Sequence, residues 1–233
     1  MSPVIKVSTV HYPESDGRPM GETDLHREAM IRHIELLQHH FAGQQVYVSG
    51  DLLVYYEQGN PKKFVVPDAF IAKGLQPRKR RIYKIWVEGK APDAVIETTS
   101  RKTRRKDTVD KPQLYAQLRV KEYFLFDPDE EYLDPPLQGH RLDGGDYTRI
   151  EASDAGCLES RELGLRLCVE GGGLQFYRLD TGERLLAPTE RAAAEAQRAD
   201  RETEARRREA LGREAAEAEI ARLRAELSRR PSA

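Results

Sequence analysis

Nowhere does the 233-residue chain contain an apolar run near the roughly 20 residues that a membrane-spanning helix requires, which excludes a helical membrane protein. Cysteine is almost missing: Cys157 and Cys168 are the two present, and their separation fits neither a zinc-ligand nor a CxxC redox pattern. They are expected to be reduced thiols in a cytoplasm. Residues 1–6 lack a basic segment followed by a long apolar stretch, so no secretory leader is expected. Aromatic residues make up 7% of the chain with a single Trp, and nothing resembles an aromatic-rich platform for single strands or a zinc finger. The formal net charge of -1 leaves no overall basicity to hold nucleic acid. Hydrophobic content of 39% against 33% charged is nonetheless enough for one globular core.

What the chain does have is sharply local. Residues 61–106 hold 14 Lys or Arg against 4 Asp or Glu, a balance of +10, within a chain that is close to neutral. The cations cluster as Lys62-Lys63, as Arg78, Lys79, Arg80 and Arg81, and as Arg101, Lys102, Arg104, Arg105 and Lys106. Attraction of a phosphate backbone by the loops at 78–84 and 101–106 is weighed here against a merely solvated face.

The order of elements follows from periodicity. Residues 23–41 read as a helix, with Met30, Ile34, Leu37 and Phe41 on one stripe and Thr23 or Asp24 as its cap. Residues 45–56 read as a strand interrupted at Gly50-Asp51, and the turn Gly59-Asn60-Pro61 leads into a second strand over 64–71. A strand over 94–99, a helix over 110–118 and a strand over 123–126 follow. Residues 132–186 read as short strands that finish or cap the same sheet. After Pro188 an Ala-, Glu- and Arg-rich composition predicts one long helix. Ala192, Ala196, Ala199 and Thr203 keep coiled-coil spacing there, but Arg206 and Arg213 interrupt the seam, so self-association and a lone charged helix both stay open. The division expected is a domain over 1–187 and an appended helix over 188–233.

Within the basic window lie two acids on apolar strands, Asp68 and Glu97. A carboxylate among Val and Ile side chains is costly unless it is paired, hydrogen bonded or bound to a metal. Glu97 bridged to Arg101 or Lys111 is the plain reading; two such acids on neighbouring strands favour a shared cation. Oxygen ligands of this kind suit Mg²⁺ or Mn²⁺ better than Zn²⁺. With Lys111 at the head of the next helix the set is acid, acid and lysine, the parts that phosphodiester hydrolysis needs to hold a metal and offset charge on the phosphoryl oxygens.

Several runs together resemble the Uma-two family of putative restriction endonucleases, within the PD-(D/E)XK nuclease superfamily. They are Val66-Pro67-Asp68; residues 91–100 from Ala91-Pro92-Asp93 to Thr99-Ser100; Thr103 to Asp107; Lys111; Tyr115; and residues 121–128 around Tyr123-Phe124-Leu125-Phe126. The resemblance covers roughly residues 23–186. It implies an α+β fold with a restriction-endonuclease-like αβββαβ core, a mixed sheet, a β extension and a long C-terminal helix. It also implies metal ligation by Asp68, Glu97 and the Thr98 carbonyl, with DNA as substrate and Mg²⁺ or Mn²⁺ as cofactor. The superfamily places a lysine two residues past the second acid, where this chain has Thr99, so Lys111 must substitute. Pro112 is expected to bias Lys111 away from helical geometry.

Asp51 and Glu35 are candidate additional acids, against the readings of a turn residue and a solvated helix position. His26, His33 and His40 recur every seven residues and are expected on a solvated flank. Tyr115 is read as core, Asp107 as a helix cap or a partner of Arg104 or Arg105, and Asp93 as turn chemistry. The alternative to a nuclease is an inactive relative that binds nucleic acid or acts as an oligomeric scaffold.

Overall fold

The structure, a computed structural model of the chain, describes residues 10–15, 17 and 23–228; the N-terminal residues 1–6 lie outside them. The chain divides into two compact units, Met1–Leu185 and Leu186–Ala233.

Among the described residues the first helix or strand is α1 (Asp24–His40), whose start is capped by Thr23 as its hydroxyl accepts from the His26 N–H. Then come β1 (Val46–Ser49), β2 (Val54–Tyr55), β3 (Phe64–Val65), β4 (Ala69–Lys73), β5 (Tyr83–Lys84), the short α2 (Ile85–Glu88) and β6 (Ala94–Thr98). A π-helical turn at Lys106–Asp110 runs directly into α3 (Lys111–Gln117), and β7 (Glu122–Phe126) follows. The six-stranded sheet continues through β8 (Leu137–Asp143) and β9 (Asp146–Arg149), in the order β1-β4-β6-β7-β8-β9. β6 and β7 pair in parallel and all other neighbours in this sheet are antiparallel. α1, β1, β4, β6, α3 and β7 therefore supply the αβββαβ core. The expected β extension both lengthens this sheet and forms a three-stranded one from β10 (Leu158–Ser160), β11 (Leu165–Glu170) and β12 (Gly173–Arg178), while β3, β2 and β5 make another.

β6 and β7 are buried along their full length, which is why their sequences run apolar instead of alternating. Val95, Tyr123 and Leu125 pack with Tyr115 in one cluster, and successive residues of a strand point to opposite faces.

Two expectations are corrected at this level. The buried stripe of α1 is His26, His33, Leu36, Leu37 and His40, so the three histidines face inward instead of toward solvent. His33 packs against Phe126 and Phe176, and His40 Nε2 bonds the Leu163 carbonyl oxygen at 2.9 Å. Cys157 and Cys168 are joined in a disulfide and are not free thiols. Leu158 pairs with Leu167, so the register sets these cysteines opposite each other with Cα atoms 4.4 Å apart, a relation their 11-residue separation alone does not reveal. Reduced thiols, the ground for expecting a cytoplasmic setting, are therefore not what this hairpin carries.

The second unit is α4 (Pro188–Ser228), 41 residues long. Glu190 accepts from the Ala187 N–H at 2.8 Å to close its first turn, and ion pairs such as Arg198–Glu202 lace its surface. Among the described residues no helix is long and apolar enough to cross a membrane.

Candidate active site

Asp68 lies just before β4, in a position that Gly50 makes accessible. A Cβ at residue 50 would stand 1.9 Å from the Asp68 carbonyl oxygen, so only glycine lets the two backbones approach. The Asp51 N–H completes the contact by donating to the Pro67 carbonyl at 2.9 Å. Ala69 pairs with Ile96, which brings Asp68 across from Glu97 on β6.

From there the acids interlock. The Asp68 N–H donates to Glu97 Oε2 at 3.2 Å, and the Thr98 N–H donates to Asp68 Oδ2 at 2.7 Å. His26 Nε2, from α1, reaches the same Oδ2 at 3.1 Å. Glu97 Oε1 accepts from the Tyr115 hydroxyl at 2.7 Å. Lys111 Nζ stands 2.9 Å from Glu97 Oε2 and 2.9 Å from Asp107 Oδ1. Asp107 in turn accepts from Thr99 Oγ1 at 3.0 Å. Glu97 and Asp107 are 0% and 1% exposed while the Asp68 side chain keeps 14%, so Asp68 is the acid nearer solvent.

Glu97 and Asp107 thus share one lysine in a buried place, with the Asp68 charge near enough to act on Glu97 and on the lysine, and the charge states follow. Burial pushes the Glu97 carboxyl up to about 8, with the neighbouring Asp68 and Asp107 charges adding to the rise and Lys111 opposing it. Burial also disfavours ionised Asp68, but the His26 hydrogen bond, the Lys111 charge and the Thr98 N–H outweigh it and hold Asp68 below the usual range. Desolvation pulls Lys111 down, and the three surrounding acids more than reverse this, so its ammonium is held protonated.

Asp107 is neither a solvated cap nor a partner of Arg104 or Arg105; it is buried beside Lys111. Pro112 does not turn Lys111 out of helical geometry, for Lys111 sits at φ -66 and ψ -42. Proline has no N–H for the Thr108 carbonyl and would crowd it, and the π-helical turn opens the backbone just ahead of that position. Asp107, Lys111 and Tyr115 then fall on one face at steps of four, all directed toward the β6 acid. That repeat was the signal available for Asp107 and for the hydroxyl of Tyr115, which is core and acid partner at once. The seven-residue recurrence of His26, His33 and His40 sets them on one flank of α1, but a solvated flank is expected from it, so the contact of His26 with Asp68 is missed.

Other candidates lie elsewhere. Asp51 is an exposed turn residue with φ 47, and Glu35 is exposed on α1. Asp93 is buried and ion-paired with Lys90 and Lys121. Arg80 is not available to a phosphate backbone: its side chain is 4% exposed, doubly bonded to Glu88 and stacked over Tyr47. Arg78 and Arg81 pair with Glu88 and Glu14, leaving Lys79 exposed. By contrast Arg101, Lys102, Arg104, Arg105 and Lys106 are all exposed, and none makes a side-chain ion pair or hydrogen bond among the described residues. They directly precede Asp107.

Among the described residues no group of three or more His, Cys, Asp or Glu side chains is arranged as a metal cage. Mg²⁺ seldom uses one, because it keeps several waters and takes one or two carboxylates together with substrate phosphate. Asp68 and Glu97 adjoin, and Asp68 keeps part of its carboxylate open to solvent, an all-oxygen donor set that fits such an ion. A groove of about 470 Å³ beside β1, lined by Phe41, Val48 and Lys79 among others, does not include these acids.

Comparison with known proteins agrees with the family resemblance. The Uma2 family model, described as "Putative restriction endonuclease", matches residues 8–191. Among solved structures the chain is similar to a putative nuclease belonging to DUF820 from Anabaena variabilis ATCC 29413, at 13% identity over 62% of this chain and 76% of that one, with a TM-score of 0.45. No curated protein matches the chain.

Proposed function

The chain belongs to the Uma2 family of putative restriction endonucleases, and on that premise we propose that it is a metal-dependent endonuclease that hydrolyses phosphodiester bonds in DNA. The observation that carries this reading is the meeting of Asp68 with Glu97, whose carboxylate also takes the Lys111 ammonium, beside an unpaired cluster of cations. The nuclease domain is assigned to 1–187, with α4 as an appendage.

Asp68, Glu97 and the Thr98 carbonyl would hold Mg²⁺ or Mn²⁺. When bound, such an ion polarises a phosphoryl oxygen and lowers the pKa of a coordinated water. Around it the chain's own groups divide the work. Lys111, kept charged by its acids, offsets charge growing on the phosphoryl oxygens and orients the attacking water. Tyr115 fixes one oxygen of Glu97 so that the other faces Lys111 and the Asp68 backbone. Thr99 does not provide the superfamily's lysine; its hydroxyl anchors Asp107, and Asp107 holds the lysine that arrives from α3. Arg101, Lys102, Arg104, Arg105 and Lys106 attract the backbone and set its distance from the acids.

A second reading, nucleic-acid binding without cleavage, is favoured by one fact: both Glu97 oxygens already accept protein hydrogen bonds or ion pairs. Incubating the protein with plasmid in Mg²⁺, Mn²⁺ or EDTA, beside Asp68→Ala and Glu97→Ala, separates the two. Cutting that EDTA stops and both substitutions abolish supports hydrolysis. Equal cutting by all three proteins removes this site, and a salt-sensitive gel shift without any cutting supports the second reading.

A further inference from the structure

We propose that His26 is a positioning residue for the metal-binding carboxylate Asp68, clamping one oxygen so that the other is presented to the ion; this rests on the nuclease reading above. Asp68 Oδ2 is held by two donors from different elements, the Thr98 N–H of β6 at 2.7 Å and His26 Nε2 of α1 at 3.1 Å. Oδ1 makes no hydrogen bond among the described residues, and the Asp68 side chain is the most solvent-accessible of the three site acids. An ionised carboxylate only accepts, so the bond requires the hydrogen on Nε2 and fixes the tautomer of the ring.

The clamp is built into the fold. His26 is 3% exposed, and its own N–H is tied to the cap Thr23, so the first turn of α1 and the ring are set together. A carboxylate held at one oxygen by the main chain alone can rotate about its Cβ–Cγ bond; a second donor from another element removes that freedom. Buried as it is, His26 does not touch substrate, so it acts through Asp68. Outer-shell partners of this kind change metal affinity by roughly 10- to 100-fold when removed.

The test uses the full chain with His26→Gln and His26→Leu. Glutamine places its Nε2 near the position of the imidazole Nε2 and keeps a donor; leucine keeps bulk and loses the donor. Mn²⁺ binding is measured by calorimetry, thermal unfolding is measured in EDTA, and plasmid cleavage is measured against Mn²⁺ concentration. The expected result is that His26→Leu weakens Mn²⁺ about 10- to 100-fold and moves half-maximal cleavage to higher metal, with the rate restored at saturating Mn²⁺. His26→Gln stays within about threefold of the original protein. Mn²⁺ affinity unchanged in His26→Leu, with or without a lower melting temperature, overturns the proposal and leaves the nuclease reading standing. If the original protein shows no Mn²⁺ binding that Asp68→Ala removes, the nuclease reading itself fails.

Discussion

Asp68 and Glu97 stand 29 residues apart in the chain, yet the backbone N–H of the first donates to the carboxylate of the second at 3.2 Å. The strand register that pairs Ala69 with Ile96 sets the two residues across from each other, so the sheet brings the Glu97 side chain to the Asp68 backbone. Two carboxylates and the Asp107 acid are brought together by β4, β6 and the π-helical turn, with one ammonium to balance them.

Lys111→Met takes the ammonium away from the buried Glu97 and Asp107, and breaking a buried pair this way costs on the order of 3–5 kcal/mol. Urea denaturation in EDTA should show that loss, and millimolar Mn²⁺ should recover part of it, because a divalent ion meets the same charge. A variant as stable as the parent protein would mean that the acids do not depend on Lys111.

Gly50→Ala forces a Cβ to within 1.9 Å of the Asp68 carbonyl oxygen, which belongs to the main chain and cannot swing aside. Overpacking of this sort costs about 1–3 kcal/mol. The displaced Asp68 should also lower Mn²⁺ affinity, read by calorimetry. Unchanged stability and affinity together would refute the close approach on which the position of Asp68 depends.

His33 is buried between Phe126 and Phe176, and burial lowers its pKa from 6.5 to about 3. Below 6.5 the unfolded chain takes up a proton that the folded state refuses, so stability falls with decreasing pH, by up to ~1.4 kcal/mol per pH unit for this group. Denaturation at pH 7 and pH 5 should show a loss about 2 kcal/mol larger in the parent protein than in His33→Leu. Equal losses would contradict the burial of a neutral ring there.

Replacing Arg101, Lys102, Arg104, Arg105 and Lys106 by Gln should weaken DNA binding without sequence preference. The slope of log affinity against log salt should shrink by about 0.9 for each phosphate that the protein no longer neutralises. Arg80→Gln, at a side chain committed to Glu88 and Tyr47, should instead lower the melting temperature and leave that slope alone. A salt slope untouched by the fivefold change would remove the loop from the interface.

We propose that α4, where Leu211, Ile220 and Leu223 are 57%, 49% and 46% exposed, mediates self-association. Deleting residues 189–233 and measuring mass in solution tests it. A monomer after truncation of an oligomer is the expected outcome; an unchanged mass rejects the role.

The core was readable where physics is local: fully buried strands read as apolar runs, and the long Ala-, Glu- and Arg-rich segment read as helix. Asp68 and Glu97 stood out because acids amid Val and Ile need a reason, and pairing with Lys111 is one of the readings open to Glu97. What escaped depends on register and packing. The inward face of the α1 histidines was hidden because His is polar by type, while Phe126 and Phe176, which receive His33, come from distant strands. Arg80 and Arg105 look alike in sequence, and only the fold commits the first to Glu88 and leaves the second exposed. The Cys157–Cys168 bond required knowing which residues of a hairpin face each other.

Anomalous diffraction from crystals grown with Mn²⁺ tests the central claim most directly. The account predicts a Mn²⁺ peak in contact with carboxylate oxygens of both Asp68 and Glu97, with the Lys111 ammonium still beside them. A map in millimolar Mn²⁺ with no peak there, and Glu97 still closed onto Lys111, would contradict it.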